Sequence, residues 1–316
     1  MEVFFLAMQG IVLFGINNIY TVRTQDQKEY LCRIKGKVLK GSENVYNPIT
    51  AGDQVEFDSG LITALVPRRN AFTRWNRKRF MSQIIAANLD ILFCVTAPGE
   101  PPFRPRFLDK VIANSCHKYK DEYEVVIVLN KCDLGVGQAV EERLEVYRSM
   151  GYKVLRVSAK TGEGLEALRD YARGRVCAFA GQSGVGKSSL LNALSPQVSR
   201  RVGEVSKKYN RGRHVTNYAL FVPDEQNGGG IIDTPGIREI FVDSIEPLEL
   251  ILHFKEMAPY YGKCSFSTCT HTVEKGCALR EAVEKGLVHP DRYETYLRTY
   301  SELTEQASVI YGKEYT

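Results

Sequence analysis

The feature that most constrains this chain is the stretch GQSGVGKS at residues 181–188, which matches the phosphate-loop pattern G-x-x-x-x-G-K-[ST] at every fixed position. An apolar run, 176–180, precedes it, and residues typical of a helix follow it, so the motif has the strand–loop–helix context that it requires. Its glycines let backbone N–H groups point at phosphate oxygens, at the positive end of the helix. We therefore expect a nucleotide-binding α/β domain, with Lys187 on the β- and γ-phosphates and the Ser188 hydroxyl on magnesium.

The length of 316 residues is sufficient for two or three domains, and the net charge of +5 is only mildly basic. The apolar N-terminus, 1–16, contains Glu2 where a leader peptide carries positive charge, so we expect a first β-strand there. No stretch reaches the ~18 unbroken apolar residues of a membrane span. Five scattered cysteines are expected to be reduced thiols of a cytoplasmic protein, namely Cys32, Cys94, Cys116, Cys132 and Cys177.

Residues 8–66 contain five short stretches rich in β-forming residues, separated by polar or glycine-containing turns. This spacing predicts a small β-barrel domain over residues 1–68. An oligonucleotide-binding (OB) barrel and an SH3-like barrel would both leave this pattern, so both remain open.

A basic segment follows, with six cations, no acidic residue and three aromatic residues in 67–80. Cations neutralise phosphates and aromatic rings stack on unpaired bases, so we interpret residues 69–81 as a basic linker that contacts RNA. A solvated linker without a ligand is the alternative. The candidate RNA-binding residues are Arg68, Arg69, Arg74, Trp75, Arg77, Lys78 and Arg79.

Residues 82–240 alternate between apolar strands and helical stretches, which predicts an α/β domain with a largely parallel sheet. Two short motifs, Asn130-Lys-Cys-Asp133 and Ser158-Ala-Lys160, follow directly after strands, where ligands bind in such sheets. The Asp133 carboxylate can accept hydrogen bonds from N1–H and the 2-amino group of guanine. Adenine would leave this charge unpaired, and such sites discriminate by ~10⁴ or more. The motifs therefore indicate a guanine nucleotide.

Beyond the phosphate loop, a predicted hairpin ends in Asp233-Thr-Pro-Gly236. We expect Asp233 to hold the water shell of magnesium and the Gly236 amide to sense the γ-phosphate. Thr216, just before the hairpin, is expected to close over the metal.

The C-terminal residues 241–316 are predicted to be mainly helical, with amphipathic spacing over 246–257 and 291–306. Between these stretches lie Cys264, Cys269, His271 and Cys277. Three thiolates and one imidazole form the closed ligand set of a structural zinc ion. Disulfides are the alternative, but a cytoplasmic setting does not favour them.

The order of these motifs resembles a circularly permuted GTPase, because the motifs at 130–133 and 158–160 precede the phosphate loop instead of following it. With the barrel before this domain and the Cys/His cluster after it, almost the whole chain resembles the ribosome small-subunit-dependent GTPase A family (RsgA/YjeQ). The resemblance implies a cytoplasmic GTPase that acts in maturation of the small ribosomal subunit, binds rRNA, and uses magnesium with GTP and one structural zinc ion. A monomer is the default expectation.

The resemblance also implies roles for single residues. Ile237 stands where many GTPases carry a water-orienting Gln, and the family's switch-region His, here His214, has been assigned that role. The catalytic candidates are thus His214, Lys187 and Thr216, with magnesium held by Ser188, Thr216 and Asp233. The expected GTP-binding residues are Asn130, Lys131, Asp133, Leu134, Ser158, Ala159, Lys160, Gly181, Gln182, Ser183, Gly184, Val185, Gly186, Lys187, Ser188, Ser189, Asp233 and Gly236.

Two other functions remain open at this point. In the first, the protein is a GTP-gated RNA-binding checkpoint whose hydrolysis only resets binding. In the second, it is a GTPase that acts on a non-ribosomal RNA or protein.

Overall fold

The N-terminal domain is a closed five-stranded barrel. The computed structural model describes residues 7–34, 45–115, 123–195, 201, 218–234, 240–243 and 245–311. The barrel strands follow the order β1-β2-β3-β5-β4, and β1 pairs with β4 to close the cylinder. β3 and β5 pair in parallel, while the other pairs are antiparallel. This Greek-key arrangement is that of an OB barrel rather than an SH3-like one. Its strands are β1 (Met8–Ile16), β2 (Ile19–Arg23), β3 (Glu29–Ile34), β4 (Gln54–Asp58) and β5 (Leu61–Leu65).

The segment expected as a basic linker has regular structure. β6 (Ala71–Asn76) and β7 (Met81–Ala87) form an antiparallel hairpin, so residues 69–81 are largely one strand and its turn. The reason is burial: Phe72 is fully buried and Trp75 is only 7% exposed. These two aromatic side chains pack inward, and three of the six cations lie on the exposed turn, namely Arg77, Lys78 and Arg79. The composition of the segment resembles a linker because its cations are not accompanied by acidic residues within the segment itself.

The central domain is a six-stranded sheet in the order β10-β9-β8-β11-β13-β12, in which only β12 is antiparallel to its neighbour. The side chains of β8 are all buried, as expected for a parallel strand covered on both faces. The prediction of a barrel followed by an α/β domain is confirmed. The elements are β8 (Ile91–Thr96), α1 (Pro105–Ser115), β9 (Glu124–Leu129), α2 (Gln138–Ser149), β10 (Lys153–Arg156), α3 (Leu165–Ala172), β11 (Val176–Gly181), α4 (Lys187–Leu194), β12 (Leu220–Pro223) and β13 (Gly230–Asp233).

The connection between α3 and β11 is very short. Gly174 adopts a left-handed conformation (φ 72°), and Arg175 then leads into β11, which lies between β8 and β13. A strand made late in the chain therefore occupies the middle of the sheet. This arrangement agrees with the circular permutation expected from the order of the motifs, for which residues 174–175 are the expected joint.

The C-terminal region contains two 3-10 helices, Pro247–His253 and Ala258–Tyr260, and two α-helices, α5 (Ala278–Glu284) and α6 (Pro290–Tyr311). The amphipathic helix expected at 246–257 is thus largely 3-10. Over so few residues, periods of about 3.0 and 3.6 place the same apolar residues inward, so the pattern does not separate the two. The residues that it buries are Leu250, Ile251, Phe254 and Met257. Among the described residues, no helix is long and apolar enough to cross a membrane.

The C-terminal region packs on the central domain through a buried charge cluster. Asp109 on α1 and Arg292 on α6 are both fully buried, and Arg292 Nη1 donates to Asp109 Oδ1 at 2.8 Å. The same guanidinium donates to both carboxylate oxygens of Glu256, at 2.6 and 2.9 Å. Asp109 accepts further hydrogen bonds from Arg143, Tyr147 and Thr295. Asp109 and Arg292 therefore each have opposite charges and several hydrogen bonds, as burial of a charge requires, whereas Arg143 Nε and Nη1 have no hydrogen-bond partner within the described ranges.

Candidate nucleotide and metal sites

Three loops and the end of one strand meet at the carboxyl-terminal edge of the parallel sheet. The loops follow β9, β10 and β11, and they carry Asn130–Asp133, Ser158–Lys160 and the phosphate loop in that order, while Asp233 is the last residue of β13. Because neighbouring parallel strands end at the same edge, motifs that are far apart in the chain come together.

Asn130 joins three of these loops. Its side chain is almost completely buried, with 1% exposed. Its Nδ2 donates to the Val185 carbonyl in the phosphate loop at 2.8 Å, and its Oδ1 accepts from the Ala159 N–H at 3.1 Å. An amide is suited to this position because it carries a donor and an acceptor on one planar group. The side chain thus links the loops on the guanine side to the loop on the phosphate side.

Asp133 is held from one side. The fully buried Ser158 donates its hydroxyl to Asp133 Oδ1 at 2.6 Å. A carboxylate has about four acceptor positions, so Asp133 retains capacity for two hydrogen bonds from a guanine edge. Lys131 adopts a left-handed backbone (φ 64°), and its Nζ donates to the Glu100 carbonyl at 2.6 Å. Its stem therefore spans from the Asn130–Asp133 loop to the loop that follows β8.

Two glycines of the phosphate loop are required by close contacts. A Cβ on Gly181 would lie 2.5 Å from the Val95 carbonyl oxygen of the neighbouring strand. A Cβ on Gly186 would lie 2.3 Å from Asn130 Nδ2, and this glycine also has φ 91°. Any side chain at either position would displace the strand or break the Asn130 contact.

Lys187 at the start of α4 and Asp233 at the end of β13 form a partly buried pair of charges. Lys187 Nζ donates to the carbonyls of Gly181 and Gln182 at 2.6 and 2.8 Å, so the ammonium lies over the loop. Burial lowers the pKa of Lys187 to about 8, while Asp233 acts in the opposite direction. Burial raises the pKa of Asp233 to about 6, and Lys187 opposes this shift. A bound phosphate would thus compensate the positive charge of Lys187, and a bound metal ion would compensate the negative charge of Asp233.

The other expected nucleotide residues differ in placement. Gln182 is half-buried, whereas Ser183, Gly184, Ser188 and Ser189 are exposed on the loop and at the start of α4. On the guanine side, Leu134 is 55% exposed and Lys160 is exposed. Gly236, His214, Thr216 and Ile237 lie outside the described residues.

The four expected metal ligands lie together. The thiol sulfurs of Cys264, Cys269 and Cys277 and a ring nitrogen of His271 all lie within 4.8 Å of one another. The Cys264 and Cys277 sulfurs are 3.9 Å apart, and His271 Nδ1 is 3.3 and 3.5 Å from them. Zn–S bonds of about 2.3 Å and Zn–N bonds of about 2.0 Å in a tetrahedron require edges of about 3.5–3.8 Å. The cluster could therefore bind a metal ion such as zinc.

Glu274 supports the turn that carries His271. Its carboxylate accepts hydrogen bonds from the backbone N–H groups of Thr270, Thr272 and Val273. Although burial opposes the shift, hydrogen bonds from the Thr270 hydroxyl and from backbone N–H groups of the turn lower the pKa of Glu274 to about 2. His271 itself has φ 61°, a conformation that needs such support in a non-glycine residue.

The candidate RNA-binding residues separate into two groups. Arg77, Lys78 and Arg79 are exposed on the β6–β7 turn, and Arg77 also forms an exposed ion pair with Glu305. The remaining candidates have structural partners or are covered: Arg68 pairs with the buried Asp53, Arg69 with Asp90, Arg74 donates to Gln83, and Trp75 is buried. The turn, and not the whole segment, is thus the basic surface.

Sequence reasoning missed the loop between β8 and α1, residues 97–104. It packs beside the phosphate loop, where a Cβ on Gly184 would lie 3.6 Å from Pro101, and it supplies the Glu100 carbonyl to Lys131. The available signal was a proline-rich run directly after an apolar strand, at the edge of the sheet where ligands bind.

Comparisons with known proteins cover most of the chain. A family model described as RsgA GTPase matches residues 65–243. The small ribosomal subunit biogenesis GTPase RsgA of Borreliella afzelii (strain PKo) is 37% identical over 300 residues, covering 92% of this chain and 95% of that protein. The protein of the same description from Chlorobaculum tepidum is 38% identical over 315 residues, covering 94% and 99%.

Two crystal structures have the same architecture. YjeQ from Thermotoga maritima is 33% identical, with a TM-score of 0.70 over 94% of this chain and 99% of that one. YloQ, a circularly permuted GTPase, is 24% identical, with a TM-score of 0.65 over 97% and 98%, and shows likeness of fold.

Proposed function

Because the chain belongs to the RsgA GTPase family, we propose that it hydrolyses GTP during maturation of the small ribosomal subunit. The observation that carries the proposal is the contact of Asn130 with the loops after β10 and β11. It unites the permuted guanine and phosphate motifs in one site. The named relatives match over more than nine-tenths of the chain, so the likeness includes the barrel and the metal region.

We further propose how the residues divide the work. Asp133 selects guanine, Asn130 fixes the loops, and Lys187 neutralises the β- and γ-phosphates. Ser188, Asp233 and Thr216 are the proposed magnesium ligands, and the ion would neutralise charge on the phosphates. Two hydroxyls and a carboxylate are the oxygen donors that magnesium prefers. His214 is the proposed group that orients the attacking water, since Ile237 has no hydrogen-bonding side chain.

The metal cluster is proposed to hold one structural zinc ion. Three sulfurs and one nitrogen complete a tetrahedron and leave no open position for a substrate. Tyr293 and Tyr296 on α6 donate to the carbonyls of His271 and Thr270, so the metal loop is tied to the last helix. The ion would therefore stabilise this region instead of taking part in hydrolysis.

We propose that the protein contacts rRNA of the small subunit in the cytoplasm, through the barrel, the β6–β7 turn and the metal region. The turn supports this proposal because Arg77, Lys78 and Arg79 are exposed beside Phe80, which is 60% exposed. Exposed cations and an exposed ring are the combination that binds single-stranded nucleic acid.

The test is GTP hydrolysis by the purified protein, alone and with purified small or large ribosomal subunits. We expect a large stimulation by the small subunit only, because a bound partner can order a switch that lacks the usual Gln. Equal rates in all three reactions, with GTP binding intact, would contradict the ribosomal role. A H214A variant that still binds and matures subunits, but is not released, would instead favour the checkpoint function.

A further inference from the structure

A cleft of about 710 Å³ lies beside the phosphate loop. It is bounded by Gln182 of that loop, by the start of α1 with Arg104, and by α6. On the remaining side are Ile240 and Phe241, which follow the Asp233–Gly236 motif in the chain by a few residues. The cleft therefore lies between the phosphate loop and the segment that leaves the γ-phosphate-sensing motif.

Five cations line this cleft, and four of them have acidic partners on α6. Those ion pairs are Arg77–Glu305, Arg106–Glu294, Lys110–Glu302 and Arg298–Glu294. Within the ranges that the structure describes, the exposed Arg104 side chain has no ion pair or hydrogen bond. Among the described residues that line the cleft, Arg104 is thus the one cation without an acidic partner.

The backbone around Arg104 is nevertheless fixed. Its carbonyl accepts from the Phe107 N–H at 3.1 Å, which fixes Arg104 as the residue directly before α1. Upstream, the Lys131 side chain donates to the Glu100 carbonyl at 2.6 Å, and Pro101 lies close enough to Gly184 that a Cβ there would be 3.6 Å from its ring. A guanidinium without a partner in the described part of the chain, on an anchored backbone next to the phosphate loop, can donate to a phosphate oxygen without first breaking an ion pair.

We propose that Arg104 is a catalytic residue that brings its guanidinium to the γ-phosphate in the transition state, as an arginine supplied from the same chain. In this step the water oxygen forms a bond to the γ-phosphorus, and the bond from that phosphorus to the β–γ bridging oxygen breaks. The products are GDP, inorganic phosphate and one proton released to solvent. Arginine suits the task because its planar fork donates two hydrogen bonds to phosphate oxygens. The proposal rests on GTP hydrolysis and not on the ribosomal role.

The test compares R104A with R106A, the matched control, because Arg106 lies two residues further on and is paired with Glu294. Single-turnover GTP hydrolysis is measured with and without small subunits, together with GTP affinity. Formation of a complex with GDP and aluminium fluoride, which imitates the transferring phosphoryl group, is the second readout. We expect R104A to lower the hydrolysis rate more than about tenfold, since arginines of this kind contribute ~10³-fold or more.

R104A should also lose the aluminium fluoride complex while its GTP affinity stays within about twofold of the wild type, because the contact is made mainly in the transition state. R106A should behave like the wild type in all three assays. A wild-type rate for R104A both with and without subunits would overturn the proposal. An equal loss in R106A would do the same, because it would indicate a general effect of cleft charge. Absence of subunit stimulation in the wild type would contradict the ribosomal role alone.

Discussion

Replacement of Arg292 by Met should detach α6 from the central domain. Met keeps much of the side-chain length but removes the charge. Asp109 then loses its contact with the last helix through this guanidinium, and Glu256 loses both of its hydrogen bonds from Arg292. The buried stem position stays filled, so the perturbation is mainly electrostatic.

The size of the effect follows from the burial of these groups. Breaking a buried ion pair costs about 3–5 kcal/mol, because one charge stays behind in a poorly solvated site. Asp109 keeps hydrogen bonds from Arg143, Tyr147 and Thr295, and the Glu256 side chain is 14% exposed and can gain water. Both facts favour the lower end, about 3 kcal/mol.

The appropriate assay is native-state hydrogen exchange of the α6 amides with zinc in excess, since one global unfolding free energy is poorly defined for a multidomain chain. A loss of about 3 kcal/mol corresponds to roughly 100-fold faster exchange in α6. The matched control is R298M, because Arg298 lies on the same helix but is 57% exposed in its pair with Glu294. This control should change the opening free energy by less than about 1 kcal/mol. If R292M exchanges no faster than R298M, the buried charge cluster is not what holds α6 in place.

Three further predictions concern the nucleotide and metal sites. Burial lowers the pKa of Lys187 to about 8 in the nucleotide-free protein, so GTP affinity should fall as the pH rises above about 8, where phosphate binding must recruit a proton. Calorimetric titration in two buffers of different ionisation enthalpy measures that proton uptake. A GTP affinity that does not change with pH would contradict the prediction. N130A should weaken GTP binding about 10- to 100-fold, because the Val185 carbonyl and the Ala159 N–H both lose a hydrogen-bond partner. Titration with a fluorescent GTP analogue measures the affinity, and a wild-type affinity would show that Asn130 does not hold the loops for GTP. Metal removal by a chelator, or C269S, should increase hydrogen exchange in the metal region but leave GTP affinity unchanged, and parallel loss of both would refute the separation of the two sites.

The strands and motifs could be predicted from the sequence where the signal is local. The barrel stretches carry alternating β-forming residues, and the strand before Asn130 is an apolar run that matches β9. The closure of β1 on β4 and the parallel pairing of β3 with β5 were not predictable, because OB and SH3-like barrels share the same local pattern.

Contacts between distant residues account for what was missed. Asp109 is followed directly by Lys110, so the local sequence does not mark it as buried, and its partner Arg292 is on α6, where no spacing rule connects the two. The basic segment 67–80 shows the converse error. Its composition predicted a linker, whereas the burial of Phe72 and Trp75 against the rest of the fold makes it a hairpin. The composition of a segment does not show its contacts with the rest of the chain, and those contacts decide which of its residues are buried.

The position of β11 in the sheet has a consequence for synthesis of the chain. β8 leaves the ribosome early and pairs with β9, but its other neighbour, β11, emerges only after α1, α2 and α3 have been made. Until then β8 has one unpaired edge in the nascent chain, and all six of its side chains are buried in the finished sheet. Such edges pair with other chains. In this chain the half-sheet β8-β9-β10 is thus at risk of aggregation during that interval of translation, when a chaperone at the exit tunnel would protect it.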